Sequence, residues 1–149
     1  VAVEEGSPLS IVVDTNVLVA ALIQRGIVRE LLLDLPGAFL TPESCAAEVW
    51  EKRGDWNRRR VPDAVVREAL DFLTEEFVIV VPRSSYAAME REAAALIQDP
   101  DDVPVVALAL SVDNEGIWTF NTRDFDTPPV RSRCRILSTS DVKAVLLRR

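Results

Sequence analysis

Ile11-Val12-Val13-Asp14-Thr15-Asn16-Val17-Leu18 is the stretch that decides the fold. Three β-branched apolar residues in a row predict a buried strand. From Thr15 to Ile23 the chain is too long and too apolar for a turn, which predicts a helix. Asp14 therefore stands at the carboxyl end of a strand and the start of a helix, the edge where ligand sites lie in open α/β sheets. A helix amino terminus or a facing cation keeps an acid there ionised. Taken alone, Asp14 reads equally as an N-cap for the helix's free N–H groups.

Outward from this unit, helices and strands alternate. Gly26 to Leu35 reads as a second helix, ended by Pro36-Gly37, and Ala38-Phe39-Leu40 as a short strand. Thr41-Pro42-Glu43 opens a helix to about Arg53, with Thr41 as N-cap and Pro42 in the first turn. Asp55 to Arg60 reads as a polar loop, Val61-Pro62-Asp63 opens a helix to about Glu75, and Phe77 to Val81 is a strand. Ser84-Ser85 are expected to cap one helix that ends near Gln98. After the turn Asp99-Pro100-Asp101-Asp102, Val103 to Leu110 is apolar on nearly every side and belongs in the middle of the molecule. Pro104 fits there only in a first helical turn. Ile117-Trp118-Thr119 is a strand, Asn121 to Asp126 a polar turn and Arg135-Ile136-Leu137 a last strand. Ser138 or Ser140 caps a final helix through Leu147. The alternation predicts a parallel, doubly wound sheet.

The 149 residues suffice for one domain with a real core, and at 48% apolar residues the chain is not a disordered one. No apolar run approaches a membrane span, and residues 1–10 lack the basic and long apolar regions of a signal peptide. Cys45 and Cys134 have no metal-ligand spacing, so a cytoplasmic protein with reduced cysteines is expected. The net charge of −7 argues against non-specific nucleic-acid binding and fits acids gathered around a metal. Arginines group at Arg58-Arg59-Arg60 and at Arg131, Arg133 and Arg135; such groups grip phosphate but are more often solvated surface. The chain has no histidine. Imidazole bases, Ser-His-Asp triads and histidine-bound zinc are therefore ruled out, and carboxylates or a bound metal must carry any chemistry.

Four acids share a pattern. Asp14 follows the first strand, Asp102 opens the apolar helix and Asp124 follows the strand Ile117–Thr119. Glu48 borders the apolar Cys45/Val49 stripe of its helix, whereas Glu43 and Glu51 lie further from it. In a parallel sheet the strand-following and helix-opening acids meet at one edge. Ionised carboxylates sharing an edge raise each other's pKa values or repel the fold apart. A hard divalent cation resolves this, and oxygen-only ligands point to Mg²⁺ or Mn²⁺. Each acid also has a plain reading: Glu48 a surface residue, Asp102 an N-cap, Asp124 a turn residue. The functional reading draws its weight from all four converging.

Asp14-Thr15-Asn16-Val17-Leu18, Glu48, Asp99 to Leu110 with its Asp-Pro-Asp-Asp-Val-Pro opening, and Ile117-Trp118-Thr119 followed by Asn121-Thr122-Arg123-Asp124-Phe125 together resemble a PIN domain. The resemblance spans about Ile11 to Leu147 and looks closest to VapC-like toxins of prokaryotic toxin–antitoxin pairs. It implies a three-layer αβα sandwich around a central parallel sheet, with a tail over residues 1–10 and one PIN-like domain over 11–149. It also implies a metal-dependent endoribonuclease whose products carry 5′-phosphate and 3′-hydroxyl ends. Asp14, Glu48 and Asp102 match the family's metal-binding acids, with Asp14 and Asp102 expected at the better-occupied Mg²⁺ or Mn²⁺. Asn16 matches an amide that holds the carboxylates in place, and Thr119 a hydroxyl near the fourth acid. Many members read Thr-Gly-Asp after the strand, whereas this chain reads Thr119-Phe120-Asn121. Asn121 supplies no charge, so Asp124 is the substitute ahead of Asp126. RNA substrate, an antitoxin partner and a homodimer are further expectations. The dimer face is sought on the apolar early helices, Val17 to Ile23 and Val28 to Leu35.

Other readings fare worse. A haloacid-dehalogenase-like phosphatase needs a second Asp where Asn16 stands, and a dinucleotide-binding fold needs a glycine-rich turn that is missing after the first strand. A response-regulator receiver needs acids just before Asp14 and a Lys after a late strand, but Glu4 and Glu5 are too distant and the lysines are Lys52 and Lys143. The serious rival is a catalytically weak PIN fold acting as a protein-binding module or RNA-processing factor, favoured by the acidic charge and Asn121.

Overall fold

The computed structural model describes residues 9–23 and 26–148. Strand β1 (Ile11–Val13) is wholly buried and runs straight through Asp14 into α1 (Thr15–Ile23) and α2 (Ile27–Asp34). Next come β2 (Phe39–Pro42), α3 (Glu43–Glu51), α4 (Gly54–Arg58), α5 (Asp63–Glu76) and β3 (Val78–Val81). Two short 3₁₀ turns then lead into α6 (Glu90–Leu96), and a third, Pro100–Asp102, into α7 (Val103–Ser111). The chain closes with β4 (Ile117–Trp118), α8 (Thr122–Phe125), α9 (Pro128–Arg131), β5 (Ile136–Leu137) and α10 (Thr139–Leu147). The tail expected over residues 1–10 lies largely outside the described residues.

The strands form one five-stranded sheet in the order β3-β2-β1-β4-β5, every pairing parallel. The order reverses at β1, so the carboxyl ends of β1 and β4 flank a switch point where a crevice opens. Right-handed crossovers place α1, α2, α3 and α5 on one face and α6 and α7 on the other. Packing of α1 on α2 and α3, of α3 on α5, and of α6 on α7 agrees with this. The architecture is thus the expected three-layer α/β sandwich. Helix α7 lies across β1, β2 and β4 with Val105 to Ala109 all buried, which is why its sequence is apolar all round. Its Pro104 sits in the first turn, where no hydrogen bond is lost. Gly116, just before β4, has φ +147, and a Cβ there would come within 2.7 Å of the Arg135 carbonyl and 2.9 Å of Leu137 Cγ. Only glycine fits, so β4 and β5 are set by this close approach.

Four local expectations are corrected. Thr41 does not cap α3: the strand continues through Pro42, and the Thr41 hydroxyl donates to the Val13 carbonyl at 3.0 Å, tying β2 to β1. Asp55 to Arg60 is not a loop, because Gly54–Arg58 forms a short helix that buries Trp56 to 5% exposure. One anchoring aromatic replaces the periodic apolar stripe that sequence reading relies on. Ser84-Ser85 cap nothing; buried Tyr86 pins two 3₁₀ turns, and the helix proper waits until Glu90. Finally, the turn 121–126 contains a one-turn helix capped by the Asn121 side chain. Ser138 does cap α10, in a reciprocal capping box with Asp141. Among the described residues, no helix is long and apolar enough to cross a membrane, and Cys45 and Cys134 are buried and free.

Candidate metal centre

A cleft of about 350 Å³ opens at the switch point, lined by Asp14, Glu48, Asp102, Asn16 and Asn121 together with Lys52, Asp55, Trp56, Asp99 and Asp101. Strand β1 delivers Asp14, α3 delivers Glu48 and the 3₁₀ turn before α7 delivers Asp102. The structure therefore brings three of the four expected acids into one cavity. The fourth, Asp124 on α8, stands at its edge: one carboxylate oxygen each from Asp99, Asp102 and Asp124 lie within 4.8 Å of one another. Asp126 is turned to Arg131 at 3.3 Å, so Asp124 rather than Asp126 faces the acids.

Asp14 is 6% exposed. Its Oδ1 accepts from the Thr15 N–H at 2.8 Å and its Oδ2 from the Thr119 hydroxyl at 2.8 Å. Burial pushes its carboxyl above the ordinary range; the two hydrogen bonds pull it back, and Glu48 adds repulsion. Thr119 also accepts from the Asn121 N–H at 3.0 Å, so the hydroxyl bridges Asp14 to the start of α8. Asn121 donates from Nδ2 to Asp124 Oδ2 at 3.0 Å and accepts the Asp124 N–H at 3.4 Å. The residue that breaks the Thr-Gly-Asp pattern thus orients the acid three positions on. Asn16 Oδ1 accepts from the Phe120 N–H at 3.3 Å, holding the β4 exit against α1 rather than touching a carboxylate.

Asp102 is 9% exposed, and although it opens α7 its side chain makes no capping bond. Its Oδ2 is buried without a hydrogen-bond partner. Burial first, then repulsion from Asp14, Asp99, Asp124 and Asp101 in that order, pushes its carboxyl up to about 7. An orphaned carboxylate oxygen costs about 1–3 kcal/mol or more. A hard cation removes that cost, and the donor set is all oxygen, which suits Mg²⁺ or Mn²⁺. Glu48 is compensated differently: Lys52 Nζ pairs with its Oε2 at 3.1 Å, and this bond holds the ammonium pKa above its ordinary value.

Sequence reading did not single out Asp99, Lys52 or Trp56 for the site. Lys52 was accessible as the i+4 partner of Glu48. Asp99 was masked because an Asp before Pro already has a local use, here accepting the Asp101 N–H at 2.9 Å. Trp56 depended on the unforeseen α4. Three of the six grouped arginines form surface pairs: Arg58 with Asp55, Arg131 with Asp126, and Arg133 with Glu92 at 3.1 Å.

Residues 12–127 match the family model described as PIN domain. A search of curated protein sequences finds no match. Among solved structures, a chain of a toxin–antitoxin complex from Klebsiella pneumoniae superposes with a TM-score of 0.63 at 17% identity. The match covers 87% of this chain and 98% of that one, and at such identity it is a likeness of fold.

Proposed function

The chain belongs to the PIN-domain family, and from that premise we propose that it is a Mg²⁺- or Mn²⁺-dependent endoribonuclease, the toxin of a toxin–antitoxin pair. The observation that carries this reading is the Asp102 carboxylate, buried beside Asp14 with one oxygen unpartnered. An unpaired carboxylate oxygen buried among other acids calls for an explanation, and a bound cation supplies one.

Asp14 and Asp102 are the acids proposed to bind the cation, with Asp124 completing its surroundings. When bound, the cation would lower the pKa of the attacking water and neutralise charge on the leaving oxygen. Thr119 and the Thr15 N–H fix both Asp14 oxygens, so that carboxylate needs no reorganisation when substrate arrives. Glu48, held by Lys52, lines the same cleft and is proposed to orient the water. Lys52 is the cation among the cleft-lining residues and is placed to meet a phosphate oxygen. The hydroxyl of water ends on phosphorus and the P–O3′ bond breaks, leaving 5′-phosphate and 3′-hydroxyl ends. No covalent enzyme intermediate is needed.

The toxin assignment draws support from the fold likeness to a chain of a toxin–antitoxin complex. An antitoxin and a homodimer are proposed with it; Ile27 and Leu33 on α2 remain 45% and 36% exposed and suit an apolar contact. The test is cleavage of an end-labelled RNA by the purified chain with Mn²⁺, with Mg²⁺ and with EDTA, alongside Asp14→Asn. We expect metal-dependent cleavage that EDTA and Asp14→Asn abolish. Equal cleavage in EDTA, or by Asp14→Asn, would place the chemistry elsewhere. No cleavage under any condition would favour the protein-binding module.

A further inference from the structure

The three carboxylate oxygens that approach within 4.8 Å include one from outside the set implied by family resemblance, that of Asp99. We propose that Asp99 is a further direct ligand of the divalent cation, joining Asp102 and Asp124 beside Asp14, while Glu48 stays with Lys52. This rests on the metal-dependent reading above and adds to it the position of the ion and a ligand.

Two independent observations point to this place. One is the cluster itself: Asp99 comes from the loop before the 3₁₀ turn, Asp102 from its end and Asp124 from α8 beyond β4. Like charges at such a distance repel by about 1 kcal/mol per pair in water and about 3–4 at the effective dielectric of a protein surface. The other is the buried Asp102 Oδ2, which no polypeptide donor satisfies. The geometry suits a small cation. Mg²⁺ holds oxygen at about 2.0–2.1 Å, so ligands on neighbouring corners of its octahedron stand about 3 Å apart, and the three carboxylates close in by up to about 2 Å around the ion.

The plain role of Asp99, accepting the Asp101 N–H at 2.9 Å, occupies Oδ1 only. Asp124 is held by the Asn121 amide, which presents its carboxylate without neutralising it. Glu48, by contrast, already has its countercharge in Lys52 at 3.1 Å. Asp101 provides an internal control, being like Asp99 an exposed, cleft-lining acid of the same turn, but one absent from the trio.

The experiment is a titration of the 149-residue chain with Mn²⁺ alone, reading free Mn²⁺ by electron paramagnetic resonance, for wild type, Asp99→Asn, Asp99→Ser and Asp101→Asn. Melting in EDTA verifies that each variant folds; serine keeps an acceptor for the Asp101 N–H and guards against loss of the turn. We expect Mn²⁺ affinity to fall at least tenfold in both Asp99 variants and to stay within threefold of wild type in Asp101→Asn. Wild-type affinity in the Asp99 variants, or an equal loss in Asp101→Asn, overturns the ligand role while leaving the nuclease reading intact. Failure of the wild-type chain to bind Mn²⁺ overturns both.

Discussion

Replacing Asp102 by Asn should stabilise the metal-free protein while destroying its function. The wild-type carboxyl is pushed from 3.8 to about 7 by burial and by four neighbouring acids. A raised acid pKa means that the folded state disfavours the ionised form. The stability linked to this group is fully present below pH 3.8 and is lost as pH rises through about 7. In full, the move from 3.8 to about 7 corresponds to about 4 kcal/mol, and water at the cleft mouth reduces this to about 2–3. Asn keeps the shape and has no charge to bury. In EDTA at pH 8, Asp102→Asn should therefore melt roughly 4–12 °C above wild type. At pH 5, where part of the wild-type carboxyl is protonated in the folded state, the gain should be clearly smaller. The metal response should invert. Mn²⁺ at a hundredfold excess over its Kd adds about 2.7 kcal/mol to a protein that binds it only when folded, and Asp102→Asn should lose most of this along with RNA cleavage. Differential scanning fluorimetry at the two pH values, with EDTA and with Mn²⁺, measures all four quantities. A variant less stable than wild type at pH 8 in EDTA, or a gain equal at both pH values, would refute the reasoning.

Gly116→Ala should cost about 2–5 kcal/mol in urea unfolding, because a Cβ meets the Arg135 carbonyl at 2.7 Å on a backbone of positive φ. Ser138→Ala removes half of the α10 capping box and should cost about 1 kcal/mol by the same assay, with cleavage unchanged below the melting range. Asp124→Asn should slow RNA cleavage at least tenfold more than Asp126→Asn, whose carboxylate is paired with Arg131 at 3.3 Å; equal rates would remove Asp124 from the site. Thr119→Val frees Asp14 Oδ2 from its donor and should raise the Asp14 pKa further, shifting the acid limb of the cleavage profile to higher pH.

The architecture was legible because its signals are periodic and local. Ile11 to Val13 could only be a buried strand, and Val103 to Leu110, apolar on every side, could only cross the middle of the sheet. Asp14 follows a strand and Asp102 opens the helix that leads into the next one, so in a parallel sheet both fall at the carboxyl edge and their meeting followed from topology. What escaped were contacts without a period. The short α4 exists because Trp56 is buried, not because its polar neighbours favour a helix. Thr41 carried the chemistry of a helix cap and spends its hydroxyl on Val13 instead, since strand pairing outweighed the local option. Asp99 looked fully employed by the turn it starts; only the fold sets it against an acid from beyond β4. Asn121 read as a lost charge and proves to be the donor that presents Asp124.

The account depends on a divalent ion completing the acids of this cleft. The most direct measurement is anomalous scattering from a crystal of the protein soaked in Mn²⁺. A peak within about 2.5 Å of a carboxylate oxygen of Asp102, on the side of Asp99 and Asp124 and next to Asp14, is the predicted result. Well-ordered, empty density between these carboxylates at millimolar Mn²⁺, with manganese bound elsewhere or nowhere, would contradict it.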